Sequence, residues 1–116
     1  MSFNIITTPP FEKELKSLFK KYPSVKNDII ELVAKLIKEP KMGIAIGNNC
    51  YKIRMAITSK GKGKSGGARV ITNFIITDST VYLLSIYDKS EQENLSDKEL
   101  DELLKYIPDQ QKKDRK

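Results

Sequence analysis

The chain has no histidine, one cysteine, no long apolar run, and a central stretch without a single carboxylate. Each absence narrows what the protein can do. Without histidine, proton transfer falls to Lys, Glu, Asp or Tyr, or is assisted by Arg. Cys50 alone makes no intrachain disulfide. One Cys without any His also leaves little for a zinc site, which takes several N or S ligands, so no metal site is expected. There is no apolar leader after Met1 and no apolar run of ~18 residues, so the expected location is cytoplasmic, with no membrane role. At 116 residues, 39% hydrophobic and 31% charged, one domain is expected over residues 1–107, followed by a polar, disordered tail over 108–116.

The charge that is present is unevenly placed. Of the net +6, residues 1–39 carry seven lysines against five acids, and residues 78–116 carry seven cations against ten acids. Residues 40–77 carry Lys41, Lys52, Arg54, Lys60, Lys62, Lys64 and Arg69 with no acid at all. A block free of carboxylates for 38 residues is the pattern of a surface that meets a polyanion.

Hydrophobic periodicity sets the elements. "FNIIT" reads as a short strand stopped by Pro9-Pro10. Phe11, Leu15, Leu18, Phe19 and Tyr22 share one helical face, with Thr8 as the expected cap and Pro23 as the stop. A second helix, capped by Ser24, carries Val25, Ile29, Leu32, Val33 and Leu36 and stops before Pro40, giving a helical hairpin. "MGIAIGNN" is a loop or short extended piece. "YKIRMAI" alternates, with Tyr51, Ile53, Met55 and Ile57 on one side and Lys52, Arg54 and Ala56 on the other. "ARVITNFIIT" and "TVYLLSIY" are interior strands joined by a turn at Asp78-Ser79. Ser96 and Glu99 stand at capping-box spacing before a last helix carrying Leu100, Leu103, Leu104 and Ile107. The expected fold is α+β in the order β-α-α-β-β-β-α, an antiparallel meander with helices packed on it.

Between the first two meander strands lies "SKGKGKSGGARV". Its Gly63-Lys64-Ser65 matches the end of a phosphate-binding P-loop, but the leading glycine would fall on Thr58, and strand formers follow where that motif needs a helix. The P-loop is rejected. A solvated, functionless loop is the plainer alternative. Against it, Lys52 and Arg54 leave one face of their strand, the hairpin returns Arg69 towards them, and Lys89 lies just past the third strand. Cations from three strands and a loop then converge, as a polyanion site requires. If its strand is regular, Arg69 shares a face with Ile71, Asn73 and Ile75, an awkward face to cover with a helix. A bulge near Gly66-Gly67 would relieve the conflict.

The stretches "CYKIR" (50–54), "KGKSGGARVI" (62–71), "VYLLSIYDKSE" (81–91) and "LSDKELDEL" (95–103), with the hairpin opening "FEKELKSLFKKYP", together resemble bacterial type II toxins of the RelE/HigB family, the HigB-like branch in particular. The resemblance implies a RelE-like fold and ribosome-dependent, metal- and cofactor-independent cleavage of mRNA in the ribosomal A site. It also implies neutralisation by a cognate antitoxin and operator DNA binding only through the toxin–antitoxin complex. Carried onto this chain, it points to Lys52, Arg54, Arg69 and Lys89 as catalytic cations, with Lys60, Lys62 and Lys64 gripping the RNA backbone. Arg69 suits phosphorane stabilisation, Lys52 or Lys64 the general base, and Arg54 and Lys89 charge stabilisation or acid assistance. Some relatives place a Tyr or His after the Lys89 position. Here "SEQEN" follows, and Tyr87 lies near enough to substitute, as an RNA contact. Two other functions stay open: a ParE-like toxin acting on DNA gyrase, whose relatives lack the catalytic cations, and a non-catalytic nucleic-acid-binding module.

Overall fold

The computed structural model describes residues 3–107, so the expected tail over 108–116 lies outside the described residues. The elements are β1 (Asn4–Thr7), α1 (Pro9–Lys21), α2 (Val25–Lys38), β2 (Ile44–Gly47), β3 (Cys50–Met55), β4 (Ala68–Ile75), β5 (Thr80–Asp88) and α3 (Asp97–Leu104). Both hairpin helices end where proline forbids continuation, at Tyr22 and Glu39. The Ser96–Glu99 capping box is formed in both directions, with N···O distances of 2.9 and 3.1 Å.

The five strands make one mixed sheet in the order β1-β5-β4-β3-β2. The meander β3-β4-β5 is antiparallel, as its short connections require. Two strands extend it. β1 joins the outer edge of β5 in parallel, and β2, expected only as a loop or extended piece, pairs antiparallel with the first half of β3. The helix caps differ from expectation too. Thr8 and Ser24 do precede their helices, but neither side chain caps its own helix. The Thr8 hydroxyl donates to the Leu83 carbonyl, a tertiary partner, and the Ser24 hydroxyl donates to Asp28 in the first turn of α2 while accepting from the Ser59 amide.

The sheet is covered on both faces. Phe11, Leu18, Val25, Ile29, Leu32 and Leu36 from the hairpin pack on Ile53, Met55, Ile57, Val70, Phe74, Val81 and Leu83. On the other face Leu100 and Ile107 pack on Cys50, Ile71, Ile75, Leu84 and Tyr87. Each fully buried large side chain contributes about 1.5–3 kcal/mol. Among the described residues no helix is long and apolar enough to cross a membrane.

Register settles the conflict around Arg69. β4 is regular, so Arg69 shares the α3-side face with Ile71 and Ile75. The bulge lies in β5, not at Gly66-Gly67. Pairing steps from Ile71–Ser85 to Thr72–Leu83, leaving Leu84 as the extra residue. Gly67 has a different task. A Cβ there would stand 2.3 Å from the Met55 carbonyl oxygen, so only glycine lets the loop return this close to β3.

Candidate active site and basic loop

Strand pairing builds the site. Arg54 on β3 is paired with Arg69 on β4, and Arg69 with Tyr87 on β5. Directly paired residues project to the same face, so Arg54, Arg69 and Tyr87 form a row across three strands. The row lies under the end of the glycine-lysine loop.

The loop itself has two unlike parts. Its start is clamped. The Thr58 amide and hydroxyl donate to Asp28 at 3.0 and 2.6 Å, and the Ser59 amide donates to Ser24 Oγ at 2.8 Å. Lys60 Nζ forms an ion pair with Asp88 Oδ1 at 2.7 Å, reaches Ser90 Oγ at 3.3 Å, and sits 5.5 Å from the centre of the Tyr22 ring. The Lys60 and Asp88 side chains are only 10% and 1% exposed. Burial by itself would raise the Asp88 carboxyl. The bonds from Lys60 and from the Ser90 hydroxyl and amide, with the Lys60 charge, outweigh it and hold the group down at about 2. Lys60, expected to grip RNA, is therefore an internal strut, set apart from the other two loop lysines. Lys62 and Lys64 are exposed.

Arg69 is 4% exposed. Its Nη1 donates to the carbonyls of Lys64 and Ala68 at 3.0 and 3.1 Å, and its Nη2 to the Ser65 carbonyl at 3.2 Å. The guanidinium thus holds the loop over itself. Burial first, then the like charge of Arg54, lower its pKa, while Tyr87 opposes them. Tyr87 is 6% exposed, and burial raises its pKa, with Arg69 lowering it and Glu99 adding to the rise. Arg54 is exposed and is the row's open cation.

The remaining candidates are more dispersed. Lys52 leaves the same face as Arg54 but is tied to Asn94 Oδ1 at 2.8 Å, linking β3 to the segment before α3. Lys89 is half-buried. Its backbone amide donates to the Gly67 carbonyl at 3.1 Å, which fixes the end of β5 against the loop's exit. The sequence reading missed Asp88 and Asp28, the two carboxylates that anchor the loop. The available signal was an aspartate closing an otherwise apolar strand, since a carboxylate there needs a cationic partner. A cavity of about 650 Å³ lies between α1 and the end of β5, touching the row only at Tyr87 and lined by both lysines and acids including Glu14. There Glu14 accepts from Ser85 Oγ at 2.8 Å and from the Ile86 amide at 3.3 Å.

Comparison with known proteins identifies the family and the fold. A family model described as the RelE toxin of the RelE/RelB toxin–antitoxin system matches residues 11–115. Among solved structures, a double mutant of the E. coli toxin RelE in the free state superposes with a TM-score of 0.63 at 16% identity, covering 92% of this chain and 99% of that one. The toxin in the intact E. coli RelBE toxin–antitoxin complex gives 0.58 at 17% identity, covering 75% and 96%. A metal-bound toxin from Helicobacter pylori gives 0.50 at 18%, covering 78% and 98%. At these identities the likeness to the solved structures shows the fold.

Proposed function

The chain belongs to the RelE toxin family, and on that premise we propose that it is a ribosome-dependent mRNA endoribonuclease that halts translation in the cytoplasm. The observation that carries this reading is the in-register row of Arg54, Arg69 and Tyr87 beneath a loop bearing the exposed Lys62 and Lys64. In the reaction the RNA 2′-OH attacks the adjacent phosphate, the phosphorane gains charge, and the 5′-oxygen leaves with a proton. Arg54 meets the incoming phosphate. Arg69 stabilises the phosphorane once RNA displaces the loop carbonyls that occupy it, exchanging neutral acceptors for an anion. Lys64 or Lys52 takes the 2′-OH proton, and Lys89 gives its proton to the 5′-oxygen as the P–O5′ bond breaks. Tyr87 lines the row from the third strand.

The E. coli relative has been captured with its antitoxin, which supports a cognate antitoxin as this chain's partner, with operator DNA bound through the pair. The stretches resembling HigB-like toxins support a HigB-like member of the family. One observation favours a second reading. With three of its donors on loop carbonyls, Arg69 is also suited to shaping the loop of a non-catalytic nucleic-acid-binding module.

Primer extension on a reporter mRNA, in a purified translation system with and without ribosomes, separates these readings. Discrete cuts that need ribosomes are expected. Salt-sensitive RNA binding without scission would support the binding module. Intact transcripts with DNA damage in cells would point to gyrase.

A further inference from the structure

β2 covers only the first half of β3, its pairing ending at Lys52. Beyond that point a cavity of about 180 Å³ opens between β3, α2 and the basic loop, and Arg54 and Lys64 both line it. It is below the roughly 300 Å³ of drug-sized sites, so it suits one planar ring.

Its lining is unlike a phosphate site. Met42 and Met55 offer an apolar, polarisable surface, whose thioethers favour contact with aromatic rings. Asp28, Glu31 and Lys35 come from one face of α2, at spacings that bring side chains together. Asp28 is already committed on both oxygens, to Thr58, its amide and the Ser24 hydroxyl. Glu31 is exposed, and no hydrogen bond or ion pair joins it to another described residue. A carboxylate repels phosphate but accepts from amino groups. Arg54 and Lys64 on one rim, and the free Glu31 acceptor beside Lys35 on the other, select a nucleotide that brings its phosphate to Arg54 and its base to Glu31.

We propose that this cavity is a nucleobase subsite that prefers a base with an exocyclic amino group, with Glu31 as the specificity-determining residue. The inference rests on the nuclease reading for its biological use, but its chemistry stands apart. Cytosine presents an amino donor where uracil presents a carbonyl, and a carboxylate accepts from the first alone. The methionines supply the stacking surface, and Lys64 and Arg54 hold the phosphate.

The test is titration of the folded protein with CMP and with UMP, following the ε-methyl NMR signals of Met42 and Met55. CMP is expected to shift both signals and to bind about tenfold more tightly than UMP, the discrimination of one good base contact. Glu31→Gln, whose amide can also donate to a carbonyl, is expected to level the two affinities. Unmoved methyls, equal affinities in the wild type, or a preference that survives Glu31→Gln would each overturn the proposal. Nucleotide binding of the expected pattern without mRNA cleavage would sink the nuclease reading and leave the subsite standing. Cleavage with unmoved methyls would do the reverse.

Discussion

The two parts of the basic loop have similar composition and opposite fates. The Lys60 side chain is largely covered by Asp88, Ser90 and the Tyr22 ring, whereas Lys62 and Lys64, two and four residues on, are exposed. What separates them is the supply of partners. The first part passes the N-terminus of α2 and the end of β5, where Asp28 and Asp88 wait. The second part, at Lys64 and Ser65, offers Arg69 backbone carbonyls instead of side chains. A charge run is therefore not one feature. In this molecule one lysine fastens the loop, and the rest keep their charge facing outwards.

The contrast is sharpest where activity and stability separate. Arg54→Ala removes the exposed cation of the row and is expected to lower cleavage of ribosome-bound mRNA about a hundredfold. Its urea midpoint should stay close to wild type, since exposed substitutions usually change stability by within about 0.5 kcal/mol. Lys60→Met should do the opposite to stability. It leaves Asp88 buried without its cation, held only by Ser90, at a cost of about 3 kcal/mol, readable from chemical denaturation. Equal stability in the two variants would erase the distinction between strut and open cation.

The Asp88 pair also carries a pH signature. A carboxyl held at about 2 when folded, against 3.8 ordinarily, contributes stability that is present above its ordinary value. That contribution is lost as pH falls through the folded value. The contribution is on the order of 2 kcal/mol. Stability measured from pH 5 down to pH 2 should therefore fall more steeply for wild type than for Asp88→Asn, with the two curves converging near the acid end. Parallel curves would mean the pair does not exist in solution. The smallest effects on RNA affinity belong to the outer lysines. Lys62→Ala and Lys64→Ala should each reduce the slope of log affinity for single-stranded RNA against log salt by about 0.7, with stability unchanged.

Much of this was legible because it is local. Proline after Tyr22 and Glu39, the apolar stripes of both hairpin helices, and Ser96 three residues before Glu99 act within a few residues of themselves. β2 was not legible as a strand. Its four residues, IAIG, lie mostly exposed and depend on β3 for every bond. β1's parallel pairing with β5 joins Asn4 to Thr80 across the whole domain, a partnership that periodicity does not encode. The Thr8 cap failed for the same reason, since its hydroxyl binds Leu83. At the site, alternation placed Lys52 and Arg54 on one face, and the hairpin brought Arg69 beside Arg54. The fate of Lys60 depended on Asp88, whose only signal was a carboxylate closing an apolar strand, and the burial of Arg69 on carbonyls within its own loop, which residue type does not encode.

The most direct measurement is single-turnover cleavage of ribosome-bound mRNA by Arg69→Lys beside wild type. Lysine keeps the charge and loses the planar fork that holds the loop carbonyls and then the phosphorane. The account predicts wild-type cleavage that requires ribosomes and a loss of at least about a hundredfold in a folded Arg69→Lys protein. Cleavage by Arg69→Lys at the wild-type rate would contradict the row as the catalytic centre.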